Sequence, residues 1–127
     1  MAAKTKTILV IEDEPDTAEM FAEMMRLSGY RVMKTHNGYI AKTMIAHEKP
    51  DALILDVMLP GISGLDILRY VRHEPALQSI PVVVVSAKGL ASDIRFGLEA
   101  GATVYLAKPI TFQNLKEAMA HALQSIE

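Results

Sequence analysis

The sequence predicts an α/β fold in which a five-stranded parallel sheet carries five helices on its two faces. Five short runs are mostly apolar and rich in β-branched residues, which is typical of strands buried on both faces. Between these runs, apolar residues recur every three or four positions, as on one face of a helix. Because parallel strands need crossover connections, the strict alternation of strand and helix predicts a doubly wound (βα)5 arrangement.

The predicted strands differ in polarity. The run Leu53-Ile54-Leu55-Asp56 is apolar up to its final carboxylate, so we place it at the centre of the sheet. The run from Tyr30 to Thr35 mixes polar and apolar residues and is expected nearer an edge. Pro81 stands at the start of a valine run, where a strand tolerates proline. The strands are predicted over residues 7–11, 30–35, 52–56, 81–85 and 103–106.

Several predicted helices carry a signal at one of their ends. Pro15 suits the first turn of a helix, and Gly29 and Gly101 suit positions just past a helix end. Apolar positions at helical spacing follow Asn37, so we interpret it as an N-cap and not as part of an Asn-Gly hairpin; Thr111 is a further N-cap. The helices are predicted over residues 15–28, 38–48, 64–73, 91–100 and 111–126, the last with Ile126 on its inner stripe.

Composition bounds the function. The 127 residues, half of them hydrophobic, suit one domain over residues 1–127 and leave no room for a second. The formal charge of −2 favours neither nucleic acid nor an anionic membrane, so neither is expected as a partner. The sequence has no cysteine and no apolar run of membrane-spanning length, which fits a cytoplasmic location. Thiolate metal sites and cysteine nucleophiles are excluded.

Chemically competent side chains follow four of the five predicted strands: Glu12, Asp13, Asp56, Ser86 and Lys108. In a parallel sheet these strand ends share one edge, which is where open α/β sheets bind ligands. Three converging carboxylates would raise one another's pKa unless a cation lay between them, and an all-oxygen ligand set favours Mg²⁺ over zinc. The serine and the lysine would complete a cradle for a phosphoryl group. Each residue alone is explained as an ordinary strand-end polar residue, but their coincidence favours a site.

At these residues the chain resembles the receiver domains of response regulators, the CheY-like phosphorylation modules of two-component signalling. The resemblance spans essentially the whole chain. Its motifs are Ile8-Leu9-Val10-Ile11-Glu12-Asp13, Leu55-Asp56-Val57-Met58-Leu59-Pro60-Gly61-Ile62-Ser63-Gly64, Val84-Val85-Ser86-Ala87, Gly101-Ala102 and Tyr105-Leu106-Ala107-Lys108-Pro109.

The resemblance implies that Asp56 is the phosphoacceptor. It also implies that Glu12 and Asp13 hold Mg²⁺ together with Asp56 and the backbone carbonyl of Met58. Glu12 departs from the aspartate that many family members carry, and this longer carboxylate is expected to reach the metal through water.

The resemblance further implies that Ser86 and Lys108 bind the phosphoryl group. Tyr105 falls at the family's switch aromatic, which is expected to rotate inward when Ser86 moves toward the phosphate. A cis peptide bond is implied between Lys108 and Pro109. The pair Thr103-Val104 replaces a more polar pair often found before the switch tyrosine, which alters the expected output face.

The expected function is a phosphorylation-activated signalling switch. Asp56 would accept a phosphoryl group from a sensor histidine kinase, a phosphotransfer protein or a small phosphodonor in an Mg²⁺-dependent reaction. The altered surface would then signal to a downstream protein target. Such a protein is not a turnover enzyme, since it catalyses only its own phosphorylation and dephosphorylation. Homodimerisation through the face of the last two helices is left open.

Three alternatives remain. The first is a receiver that binds proteins without being phosphorylated. An aspartyl-phosphate phosphatase of the haloacid-dehalogenase type would need an aspartate two residues after the nucleophile, where this chain has Met58. The predicted topology is flavodoxin-like, but a flavodoxin or dinucleotide-binding protein needs a glycine-rich phosphate loop after the first strand. Here Glu12-Asp13-Glu14-Pro15 would repel a phosphate.

Some residues receive no functional interpretation. The four histidines lack metal-ligand spacing and are expected to be surface residues: His36, His47, His73 and His121. Gly61 and Gly64 are interpreted as turn glycines.

Overall fold

The computed structural model describes residues 4–124, and its elements lie within one residue of the predicted bounds there. The strands are β1 (Thr7–Ile11), β2 (Arg31–Thr35), β3 (Ala52–Asp56), β4 (Val82–Ser86) and β5 (Val104–Ala107). The helices are α1 (Pro15–Leu27), α2 (Gly38–Glu48), α3 (Gly64–His73), α4 (Ala91–Glu99) and α5 (Phe112–Gln124). The predicted end of the last helix, including Ile126, lies outside the described residues.

The five strands form one parallel sheet in the order β2-β1-β3-β4-β5. The apolar strand β3 lies at the centre with all five residues buried, and the more polar β2 lies at an edge, as predicted. The register pairs Ile11 of β1 with Leu55 of β3, and Asp56 of β3 with Val85 of β4. The carboxyl ends of these three neighbouring strands therefore meet at one edge of the sheet.

Two hydrophobic cores cover the two faces of the sheet. Successive residues of a strand point to opposite faces, so Ile54 enters one core while Leu53 and Leu55 enter the other. Helices α1 and α5 close the first core, and helices α2 and α3 close the second. Helix α4 is different, since Gly97 is its one buried residue. Within residues 4–124, no helix combines the length and the apolar character needed to cross a membrane.

Side-chain caps fix the starts of four helices. Glu14 accepts the backbone N–H of Asp16 at the start of α1, and Ser63 accepts that of Leu65 at the start of α3. Asn37 accepts two backbone N–H groups at the start of α2, which confirms the predicted N-cap. Thr111 likewise caps α5. The caps of α1, α2 and α3 end the loops that leave β1, β2 and β3 at the carboxyl edge.

Candidate functional site

Three carboxylates meet at the carboxyl edge of the sheet. Asp56 is the last residue of β3 and Glu12 directly follows β1; both are buried, whereas Asp13 is exposed. One carboxylate oxygen from each lies within 4.8 Å of the other two. The structure thus brings together three side chains that are up to 44 positions apart in the sequence. Unscreened, they would repel one another.

Lys108 lies between the two buried carboxylates. It follows β5, and its backbone N–H donates to the carbonyl oxygen of Ser86 at 2.7 Å. Its Nζ donates to Glu12 Oε1 at 2.8 Å and to Asp56 Oδ2 at 3.1 Å. The peptide bond between Lys108 and Pro109 is cis. One cation therefore compensates two buried carboxylates, which leaves the cluster with an excess of negative charge.

Burial shifts the ionisation of this pair. Burial raises the pKa of Glu12 above its ordinary value and the neighbouring Asp56 adds to the rise, while the hydrogen bond from Lys108 opposes it. Burial also disfavours the charged form of Lys108, but hydrogen bonds and attraction from both carboxylates outweigh burial and raise the pKa of the ammonium group. Lys108 is therefore a permanent cation at neutral pH.

The remaining polar groups of the site surround Asp56. Its second oxygen, Oδ1, accepts the backbone N–H of Met58 at 2.9 Å, so both carboxylate oxygens have a partner. Met58 is 52% exposed, and its side chain offers no hydrogen-bond donor. Ser86 ends the neighbouring strand β4 and is fully buried, and its Oγ accepts the backbone N–H of Lys88 at 3.1 Å. A hydroxyl with its hydrogen still available thus lies at the next strand end.

Tyr105 is connected to Ser86 through Lys88. Its hydroxyl donates to the carbonyl oxygen of Lys88 at 2.7 Å, and the N–H of the same residue binds Ser86. The half-buried ring packs on Gly97 of α4, where a Cβ would lie 2.6 Å from the ring. A glycine that weakens the helix therefore makes room for the tyrosine. Beside the ring is a cavity of about 100 Å³ that is also lined by Val57, Leu65 and Phe96.

Two residues near the site were not recognised from the sequence. His36 is exposed, as expected of a surface residue, yet its Nδ1 lies 3.0 Å from the carbonyl oxygen of Glu12.

Gly61 has a φ of +80° and is a turn glycine, but the same interpretation of Gly64 is wrong. Gly64 is the first residue of α3, and a Cβ there would lie 2.2 Å from the carbonyl oxygen of Asp56. The sequence did offer a signal, because Gly64 directly follows the N-cap Ser63. The first residue of a helix does not need a positive φ, so a glycine there indicates a lack of space for a side chain.

A family model described as the response regulator receiver domain matches residues 8–120. The chain belongs to this family. It is therefore a signalling domain of two-component systems.

A curated relative supports the assignment of this chain to the response regulator receiver family. The chain is 36% identical over 110 residues to the phosphate regulon transcriptional regulatory protein PhoB of Pseudomonas aeruginosa. The match covers 87% of this chain and 48% of PhoB, so the chain spans about half the length of this curated relative.

Two solved structures share the fold over nearly the whole chain. A protein from Chloroflexus aurantiacus described as a response regulator has a TM-score of 0.91 and 38% identity, with 95% of this chain and 99% of that chain covered. The receiver domain of sensor histidine kinase PA1611 from Pseudomonas aeruginosa has a TM-score of 0.86 and 28% identity, with the same coverage. That receiver domain has a magnesium ion coordinated in its active-site cleft.

Without divalent cations, Glu12→Gln is expected to stabilise the fold at neutral pH by about 1 kcal/mol. The pKa of Glu12 is raised in the folded state. The folded state therefore favours the protonated form of Glu12. The stability that this preference contributes is complete below pH 4.5, the ordinary pKa, and is lost as the pH rises through the raised pKa of the folded state. Glutamine avoids that loss and can still accept the hydrogen bond from Lys108, which keeps Asp56 as its counterion. Urea unfolding at about pH 7.5 and about pH 4 measures the effect.

The matched control is Glu23→Gln, the same change at an exposed glutamate of α1 that pairs with Arg26. It should alter stability little at either pH. A Glu12→Gln protein that is less stable than the wild type near pH 7.5, or equally altered at both pH values, would contradict the raised pKa.

Proposed function

We propose that this chain is a phosphorylation-activated signalling switch. In this proposal Asp56 accepts a phosphoryl group from a phosphohistidine on a sensor histidine kinase or a phosphotransfer protein. The observation that carries the proposal is the contact of one lysine Nζ with two buried carboxylates, Asp56 Oδ2 at 3.1 Å and Glu12 Oε1 at 2.8 Å. A buried carboxylate beside a cation and two further acidic groups is a nucleophile surrounded by the charges that phosphoryl transfer requires.

The acidic cluster fits Mg²⁺. We assign Glu12, Asp13, Asp56 and the backbone carbonyl of Met58 as its protein ligands, with Glu12 reaching the ion through water. The three carboxylates offer only oxygen atoms, which Mg²⁺ prefers, and their excess negative charge favours a cation. When bound, the ion supplies positive charge to the oxygens of the incoming phosphoryl group. The magnesium in the cleft of the PA1611 receiver domain supports this assignment.

The transfer needs no general base, because the acceptor carboxylate is already an anion. An oxygen of Asp56 forms a bond to phosphorus while the bond from phosphorus to the histidine nitrogen breaks, and that nitrogen keeps the electron pair. Lys108 neutralises charge on the transferred group, and the hydroxyl of Ser86 donates a hydrogen bond to it. Positioning and charge neutralisation by these side chains account for the catalysis.

The switch follows from the connection through Lys88. When the Ser86 side chain moves toward a phosphoryl oxygen, its Oγ moves away from the N–H of Lys88, whose carbonyl accepts from the hydroxyl of Tyr105. The cavity of about 100 Å³ beside Tyr105 gives its ring room to move inward. This movement changes the surface of α4, because the ring packs on Gly97. We propose this surface for contact with a downstream protein target, and the face of α4 and α5 for homodimerisation.

We further propose that residues 1–127 form one receiver domain that acts in the cytoplasm without binding nucleic acid or a membrane. The formal charge of −2 and the lack of cysteine in the sequence support this proposal.

The proposal is tested by incubating the protein with Mg²⁺ and acetyl phosphate and recording the intact mass. We expect a gain of one phosphoryl group that a chelator abolishes. The matched variant Asp56→Asn has nearly the same size and should show no gain. Asp66→Asn, at an exposed carboxylate on α3, is the control and should be phosphorylated like the wild type. No gain in a wild-type protein that binds Mg²⁺ would favour a receiver that acts by protein binding alone.

The aspartyl phosphate is expected to be long-lived, with a half-life of minutes or more. Hydrolysis requires a water aligned with the phosphorus, and the thioether of Met58 cannot hold one by hydrogen bonding. Met58→Asn supplies an amide at the same place and should shorten the half-life by about 10-fold. The half-life is measured as the loss of the phosphoryl mass after the donor is removed. Met58→Leu, which also lacks a polar group, should match the wild type, and a wild-type half-life of seconds would contradict this prediction.

A further inference from the structure

We propose that His36 is a positioning residue that fixes the peptide unit joining Glu12 to Asp13. This inference rests on the function proposed above, in which those two carboxylates hold the divalent cation. The contact is between His36 Nδ1 and the carbonyl oxygen of Glu12, 3.0 Å apart.

The hydrogen bond replaces one that the sheet cannot make. The pairing of β1 with β2 ends at Ile11 and Thr35, and the N–H of Glu12 continues it by donating to the carbonyl oxygen of Thr35 at 3.2 Å. In a parallel ladder extended by one residue, the carbonyl of Glu12 would accept the N–H of Asn37. The chain turns there to begin α2, and that N–H binds Thr35 Oγ1 at 3.3 Å. The imidazole of His36 therefore donates to the Glu12 carbonyl in place of the Asn37 N–H.

The chemistry of the contact defines the state of the ring. A carbonyl oxygen only accepts hydrogen bonds, so Nδ1 of His36 must carry a hydrogen, whether the ring is neutral or charged. Nδ1 is also the ring nitrogen nearer the backbone, which gives a short and stiff connection between the end of β2 and Glu12. Asparagine can place an N–H at a similar distance from its Cα, whereas glutamine places it one bond further out.

The position of this carbonyl explains why one exposed side chain would matter. The carbonyl of Glu12 belongs to the peptide unit that continues into Asp13, so a rotation of that unit moves both residues. The side chain of Glu12 is separately held, since it is 1% exposed and bonded to Lys108 at 2.8 Å. Asp13 is exposed, and its orientation relative to Asp56 depends on the backbone. His36 would therefore act on the metal ligands through their shared backbone and not by touching the ion.

The experiment compares Mg²⁺ affinity by isothermal titration calorimetry in the wild type and four variants of the full chain. His36→Ala should weaken Mg²⁺ binding about five-fold, the scale of one lost neutral hydrogen bond. His36→Asn should restore affinity to within about two-fold of the wild type, and His36→Gln should not. His73→Ala is the matched control, because His73 is also exposed and its Nδ1 also binds a carbonyl oxygen, that of Arg69. His73 is the last residue of α3, at the opposite end of that helix from the site. His73→Ala should leave the affinity unchanged.

A second measurement uses the metal-free protein. In the wild type, long-range ¹H–¹⁵N spectra should show a hydrogen on His36 Nδ1, and His36→Ala should shift the backbone amide resonances of Asp13 and Glu14. Wild-type affinity in His36→Ala, or failure of His36→Asn to restore a lost affinity, would overturn the inference. If the wild type bound no Mg²⁺, the proposed function would fail by itself. Unchanged Asp13 and Glu14 resonances in His36→Ala would then separately overturn the positioning role.

Discussion

Replacing Lys108 with alanine is expected to slow the phosphorylation of Asp56 by about 100- to 1,000-fold, the range found when a single charge-stabilising group is removed from an active site. The Lys108 Nζ is bonded to both buried carboxylates and is the cation beside the proposed acceptor oxygen. Without Lys108, the negative charge on the transferred group is repelled by Glu12 and Asp56, and no lysine ammonium group compensates this repulsion. The rate is measured as the gain of phosphoryl mass with acetyl phosphate at saturating Mg²⁺.

One further variant separates the charge of Lys108 from its geometry, and a second serves as a control. Lys108→Arg keeps the charge but replaces a compact ammonium with a wide planar group, so the rate should lie between those of the wild type and Lys108→Ala. Lys116→Ala removes a lysine of α5 that stacks on the ring of Phe112, and it should leave the rate unchanged. A Lys108→Ala protein that is phosphorylated within about three-fold of the wild-type rate would exclude the role assigned to this lysine.

The largest effect on stability is expected from Gly64→Ala, which should destabilise the fold by about 3 kcal/mol. A Cβ on Gly64 would lie 2.2 Å from the carbonyl oxygen of Asp56 and 2.7 Å from the Cα of Val57. Both atoms belong to the backbone at the carboxyl end of the central strand, so they cannot move without displacing Asp56 itself. The helix propensity gained by alanine, about 1 kcal/mol, offsets only part of the cost. Urea unfolding of the metal-free protein measures the change.

Gly38→Ala is the matched control for this prediction. Gly38 and Gly64 are both buried first residues of helices, each preceded by a side-chain N-cap. A Cβ on Gly38 would also meet an atom at 2.2 Å, but that atom is Cγ2 of the Ile62 side chain and not part of the backbone. We expect Gly38→Ala to cost about 1 kcal/mol, less than Gly64→Ala, because a side chain shifts more easily than the backbone. Equal losses in the two variants would show that the backbone contact of Gly64 is not what makes it sensitive.

The strands and helices of this fold were predictable because each depends on residues close together in the sequence. A strand buried on both faces needs an unbroken apolar run, and β3 and β4 each have all five residues buried. Helix starts were predictable where a cap forms between near neighbours, as at Asn37. The polarity of β2 indicated an edge position because an edge strand has less surface to bury.

The site was predictable only as a set of strand ends. Glu12, Asp13, Asp56, Ser86 and Lys108 stood out because each follows an apolar run in a parallel sheet. Their mutual distances were not predictable, since these depend on strand order and register, and the lysine is 52 and 96 positions from its two partners. The contact of His36 with the Glu12 carbonyl and the close approach of Gly64 to Asp56 and Val57 were not predicted, because each depends on how two backbone segments pack.

The sequence by itself determined the alternation of strands and helices, the central place of β3 and the residue types available at one edge of the sheet. Only the tertiary structure decided which groups touch: the lysine between two carboxylates, the imidazole on the Glu12 carbonyl, and the glycine against the strand that carries Asp56. The physical reason is range. Hydrophobic periodicity and capping act over a few residues, whereas contacts between strand ends arise from packing of the whole sheet and its two layers of helices.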